Sequence, residues 1–136
     1  MDGTLFDQAR AVREHAHAPY SRFHVGAAIR TAAGAVHIGA NVENASYPEG
    51  WCAETSAIAA MIAAGPAGDG RRIAEVTVVA DRIDGRLTTP CGGCRQRLAE
   101  FSTADTPVNV VDPSGNGRTY RMDELLPAAF AMEETP

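Results

Sequence analysis

Apolar residues at Leu5, Ala9, Val12 and Ala16 recur at helical spacing, so the chain is expected to begin with an amphipathic helix, with Thr4 and Asp7 as its capping pair. It ends before Pro19. From Phe23 the period falls to two: Val25, Ala27 and Ile29 share one face, Ala33-Gly34 marks a turn, and Val36 and Ile38 resume the alternation, which predicts a β-hairpin. Residues 52–64 read as an alanine-rich helix in which Cys52, Ser56, Ala60 and Ala64 form one i, i+4 row, small enough for very close packing on a sheet. "GPAGDG" ends that helix. "IAEVTVVA", from Ile73 to Ala80, is almost continuously apolar and β-branched, the pattern of a central strand covered on both faces.

Pro90 introduces another helix, with Cys94, Leu98 and Phe101 spaced to face inward. "VNVV" is a short strand, "DPSGNG" a turn and "RTYRM" a last strand, after which Asp123 caps a short helix through Leu126. The order is therefore α-β-β-α-β-α-β-β-α. With no internal repeat, linker or low-complexity segment, it predicts one domain over residues 1–136, an α/β fold with a mixed five-stranded sheet between helices. A chain of this length buries roughly two-thirds of its unfolded surface, enough for one core.

Composition narrows the functional classes. A net charge of -5 argues against a surface built to neutralise phosphates, so nucleic acid is not the expected partner. No apolar run approaches the ~20 residues needed to cross a bilayer, and "MDGTLFDQAR" lacks the basic and apolar regions of a secretory signal. Three cysteines, two of them spaced as Cys91-Gly92-Gly93-Cys94, suit metal or redox chemistry in the cytoplasm better than a disulfide framework.

Cys52 and Cys91 each open a helix flanking the apolar strand, and a helix N-terminus favours the thiolate that binds metal. Zinc suits such a cluster. All four histidines lie far upstream, which leaves the fourth coordination position open, as in catalytic rather than structural zinc sites. Glu54, two residues after a thiol at a helix start, can either answer the helix dipole or reach a water as a proton carrier. A lone C-x-x-C pair is a redox motif or half of a structural zinc site about as often as part of a catalytic one.

The blocks "PYSRFHVGAAI", "NVENASY", "WCAETSAI", "TPCGGCRQ" and "ELLPAAF", in this order along nearly the whole chain, resemble the small zinc-dependent cytidine deaminases. That resemblance implies the three-layer α/β/α fold of the family and hydrolytic deamination of cytidine and deoxycytidine. Cys52, Cys91 and Cys94 would hold one zinc ion per subunit and Glu54 would shuttle the proton. Asn41 and Glu43, two apart on extended backbone, would hold the ribose, Phe23 would pack on the pyrimidine, and the backbone at Ala53 would contact the base. Phe130 would close the site of a neighbouring subunit in a homotetramer, Tyr47 would contact a subunit, and Arg95 and Gln96 would support the metal ligands.

One position departs from the family. An arginine commonly follows the glutamate and offsets a thiolate; here it is Thr55. Three thiolates and Zn²⁺ sum to one net negative charge, so helix dipoles, the Thr55 hydroxyl and Arg95 are expected to share the compensation. Rival readings are a deaminase of a blasticidin-type antibiotic, an RNA- or DNA-editing deaminase, a non-catalytic zinc module and a redox C-x-x-C protein. "NVENASY" favours a plain nucleoside, and the acidic balance disfavours a strand-binding groove.

Overall fold

The structure is a computed structural model that describes residues 1–134. Its elements follow the expected order: α1 (Gly3–Arg13), β1 (Val25–Thr31), β2 (Val36–Ala40), α2 (Ala53–Ala63), β3 (Ile73–Ala80), α3 (Gly92–Glu100), β4 (Pro107–Val111), β5 (Gly117–Arg121) and α4 (Met122–Leu125). Short 3₁₀ turns at Tyr47–Glu49 and Gly68–Arg71 were not anticipated. No described helix is long and apolar enough to cross a membrane.

The strands form one mixed sheet in the order β2-β1-β3-β4-β5. β1 and β2 are the expected hairpin, with Ala28 opposite Ile38 and Gly34 at φ 94 in the turn, a conformation glycine adopts without strain. β3 is the central strand, antiparallel to β1 and parallel to β4, with α3 as the crossover between the parallel pair. Its position explains its composition. Val76 and Val78 enter one core cluster with Ala57, Met61 and Leu98, whereas Val79 enters a second with Leu5, Ala9 and Ala28. Thus α1 covers one face and α2, α3 and α4 the other, giving three layers.

Several local expectations change. Asp2, not Thr4, caps α1: its Oδ1 accepts the Thr4 N–H at 2.8 Å, while Asp7 faces Arg10 on the surface. The buried row of α2 is Ala53, Ala57 and Met61, one position on from the row expected, because Glu54 and Ile58 also turn inward. At the last helix Glu124 accepts the Arg121 N–H at 2.9 Å, and Asp123 pairs with the Arg121 side chain instead of capping. β1 begins at Val25, leaving Phe23 in the preceding loop.

The hairpin packs on α2 at unusually close range. A Cβ at Gly39 would lie 2.3 Å from the Ala57 backbone nitrogen, so only glycine permits the approach of β2 to this helix. That approach sets where α2 begins, and with it the position of Cys52 and Glu54.

Candidate active site

Cys52 and Cys91 are the N-cap residues of α2 and α3, and Cys94 lies in the first turn of α3. Neither cap makes a side-chain bond to its helix, so first-turn N–H groups of both helices remain free to face the thiols with their positive partial charge. The three Sγ atoms lie within 4.8 Å of one another, with Cys52 and Cys91 3.9 Å apart. Zinc–sulfur bonds of about 2.3 Å in tetrahedral directions require thiolates about 3.8 Å apart. The cluster fits a metal ion that takes three sulfur ligands. Exposure falls from Cys91 through Cys52 to Cys94, which is buried.

The thiols compete for charge among themselves. The neighbouring Cys94 pulls Cys52 below the usual thiol value by hydrogen bonding. The same contact, with burial and the nearby Glu54 charge, pushes Cys94 up. A cation bound among them reverses this and favours all three thiolates.

Glu54 sits beside the cluster and is only 4% exposed. Burial raises its pKa, opposed by hydrogen bonding from its backbone and from Cys94 and by the charge of Arg97. A raised pKa is the direction of shift a carboxyl needs to hold and pass on a proton as a general acid and base.

Glu54, Cys52, Cys91 and Ala53 line a cleft of about 560 Å³ that opens beside the C-terminal end of β3, where Val78 and Ala80 form part of its wall. Phe23, Asn41, Glu43 and Tyr47 line it too, so residues from distant blocks converge on one space. Asn41 and Glu43 reach it from extended chain just after β2; Val42 between them forms an antiparallel bridge with Trp51, which also lines the cleft. The Asn41 amide donates to the Phe23 carbonyl at 2.7 Å and accepts the Val25 N–H at 2.8 Å. Glu43 accepts the backbone N–H groups of Tyr20 and Ser21 at 3.0 and 3.1 Å.

The supporting residues divide. The Thr55 hydroxyl lies 3.8 Å from the Cys94 sulfur. Arg95 donates to the Pro90 and Leu125 carbonyls, each at 2.8 Å, and to the Thr89 hydroxyl at 2.9 Å, tying the entry of α3 to the chain's last helix. Gln96 donates to the Phe130 carbonyl at 3.1 Å. Phe130 itself is 72% exposed and does not line the cleft of its own chain.

Sequence reading missed three contributors. Ser21 stands inside the "PYSRFHVGAAI" block, where a small hydroxyl carries no signal of its own; Trp51, next to Cys52, is an exposed aromatic of the cleft wall. Arg97 lies one helical turn after Gly93, and its guanidinium comes within 3.2 Å of where a Gly93 Cβ would be. A lone arginine at that spacing carries no sequence signal that its charge reaches Glu54.

A cleft walled by two helix starts that carry three convergent thiols, with a buried carboxyl beside them, defines a candidate metal centre with an acid-base group next to it on a three-layer α/β/α fold. Residues 1–110 match the family of the cytidine and deoxycytidylate deaminase zinc-binding region. The chain is 43% identical over 131 residues to a cytidine deaminase of Halalkalibacterium halodurans, covering 96% of this chain and 94% of that protein. Among solved structures it is similar to a cytidine deaminase from Burkholderia pseudomallei, at 39% identity and a TM-score of 0.86 over 96% of this chain and 99% of that one. Another, from Mycobacterium tuberculosis, has 35% identity and a TM-score of 0.77 over 96% and 97% of the two chains. The chain belongs to the zinc-binding cytidine and deoxycytidylate deaminase family.

Proposed function

We propose that this protein hydrolyses cytidine and deoxycytidine to uridine and deoxyuridine with release of ammonia, acting as one domain over residues 1–136. The observation that carries the reading is the buried carboxyl of Glu54 beside three convergent thiols, two of which, Cys52 and Cys91, line a cleft of about 560 Å³. Cys52, Cys91 and Cys94 would hold one zinc ion. Bound there, zinc would supply Lewis-acid chemistry, lowering the pKa of a water molecule well below its bulk value of about 15.7.

The chain's own residues would do the rest. Glu54 accepts a proton from the attacking water, passes it to the pyrimidine ring nitrogen, and helps protonate the leaving amine, so that cytidine and water become uridine and ammonia. Its burial keeps the proton on a group that exchanges it easily. Ala53, on the wall beside Glu54, presents backbone rather than a bulky side chain to the base. Phe23 packs on the ring from the opposite loop, and Asn41 and Glu43 hold sugar hydroxyls with an amide and a carboxylate.

The family includes enzymes for nucleosides and for a nucleotide, and the cleft favours the former. None of its lining residues is arginine, lysine or histidine, whereas Glu43 and Glu54 both carry acid groups. A phosphate would meet negative charge without compensation. Phe130 is free to serve a second copy, which supports a homotetramer with sites completed across subunits, and Tyr47, 75% exposed, would make a subunit contact. Thiols that must stay reduced suit the cytoplasm.

Turnover of cytidine, deoxycytidine, cytosine, cytidine monophosphate and blasticidin S by zinc-assayed protein tests the reading. Activity confined to the two nucleosides is expected. Glu54→Gln should keep its zinc and fold while kcat falls by about 10²–10⁴, the range of a general acid-base contribution. Undiminished turnover by that variant would refute the mechanism.

A further inference from the structure

Residues 20–24, between the end of α1 and β1, carry Phe23 over the cleft without regular secondary structure. Two side chains beyond β2 hold this loop. Asn41 takes the Phe23 carbonyl and the Val25 N–H. Glu43 takes the Tyr20 and Ser21 N–H groups on Oε1 and the Ser21 hydroxyl on Oε2. The Ser21 oxygen in turn accepts the Phe23 N–H at 3.0 Å.

One hydroxyl therefore joins the two halves of the cleft. It donates to the carboxylate and accepts from the backbone of the aromatic, a chain in which each bond polarises the next. Between them Arg22 adopts φ 60, a left-handed conformation that a non-glycine residue holds only under constraint. The Arg22 N–H bonds the Ala18 carbonyl at 2.9 Å, completing a tight turn that presents Phe23.

Acceptor capacity sharpens the point. An ionised carboxylate offers about four lone-pair sites, two on each oxygen. Both sites on Oε1 are taken by backbone donors and one on Oε2 by Ser21, which leaves a single acceptor on a residue that lines the cleft. Its direction is set by the Ser21 hydroxyl. Hydrogen bonding from Ser21 also holds Glu43 below the usual carboxylate range, so the acceptor stays charged.

We propose that Ser21 is a positioning residue for substrate, its hydroxyl tying the Glu43 carboxylate to the Phe23 backbone so that sugar and base contacts are set as one unit. This rests on the nucleoside reading above. Losing the hydroxyl frees Glu43 Oε2 to turn and leaves the Phe23 N–H to water. Ser21 is exposed and touches neither thiols nor Glu54, so the consequence falls on binding rather than on proton transfer.

Trp51, the only tryptophan, lines the cleft and reports binding of the product uridine by fluorescence, independently of turnover. In Ser21→Ala, KM for cytidine and Kd for uridine should both rise about tenfold, the loss expected for one charge-assisted hydrogen bond at an exposed site, with kcat and zinc content near wild type. Ser21→Thr, which keeps the hydroxyl, should restore both constants. In a Glu43→Gln background, Ser21→Ala should add less than about threefold, because contacts acting through one group are not additive. Unchanged KM and Kd in Ser21→Ala, no rescue by threonine, or a full additional penalty on the Glu43 variant would each overturn the proposal. Absence of cytidine turnover by the wild type would instead refute the nucleoside reading itself.

Discussion

Gly39→Ala perturbs catalysis from the far side of the hairpin. A Cβ at this position meets the Ala57 nitrogen at 2.3 Å, the Ala53 oxygen at 2.7 Å and the Ser56 carbonyl carbon at 2.7 Å, all of them α2 backbone that cannot rotate away. Ordinary contact begins at 3.4 Å, so the helix must retreat by 3.4 − 2.3 = 1.1 Å or β2 must buckle. Overpacking of this kind costs about 1–3 kcal/mol, which lowers the melting temperature of a domain this size by roughly 4–12 °C. The larger effect is geometric. Cys52 and Glu54 ride on the first turn of α2, catalytic groups tolerate about 0.5 Å of displacement, and a shift of about 1 Å costs about 10²-fold.

The assay is kcat/KM for cytidine together with thermal unfolding and zinc stoichiometry. Gly34→Ala is the control: it lies in the β1–β2 turn at φ 94 with open space around it, so it strains backbone without touching α2. It should lower the melting temperature and leave kcat/KM within about twofold, as expected of strain remote from the site. If Gly39→Ala matches wild type in both melting and kcat/KM, the close approach of β2 does not position the site.

Two further predictions concern charge. Thr55→Val removes the hydroxyl 3.8 Å from the Cys94 sulfur and should weaken competitive zinc affinity about tenfold; equal affinity would mean that the hydroxyl carries none of the thiolate compensation. Burial works to raise the pKa of Glu75, but Arg30, the Asn109 amide at 2.7 Å and the Asp2 N–H outweigh it and hold the carboxyl below its ordinary 4.5. The unfolded chain then binds more protons than the native one below pH 4.5, so this stabilisation is present above 4.5 and is lost as pH falls through the lower native value. Glu75→Gln should flatten the stability-against-pH curve measured by urea unfolding below pH 4.5, and parallel curves for the two proteins would refute the assignment.

Much of the fold was legible because its signals are local. The apolar run of β3 announces a strand covered twice, and "PCGGC" announces a proline-led helix start with two thiols one turn apart. Boundaries were less legible. Asp2 competes with Thr4 for the α1 cap, and only the path of the chain decides which side chain reaches a free N–H. The buried row of α2 was misjudged by one position because small residues surround the helix, so composition does not mark a face.

Residue chemistry alone was enough to nominate the metal-binding thiols, the proton carrier and the family, since thiols at helix starts and a carboxylate two residues on are properties of short segments. Three-dimensional packing alone decided that Cys52 meets Cys91, that β2 touches α2 through Gly39, and that a serine of one loop joins Glu43 to Phe23. These contacts link residues distant along the chain. They depend on sheet order and on the distance between layers, which no local pattern encodes.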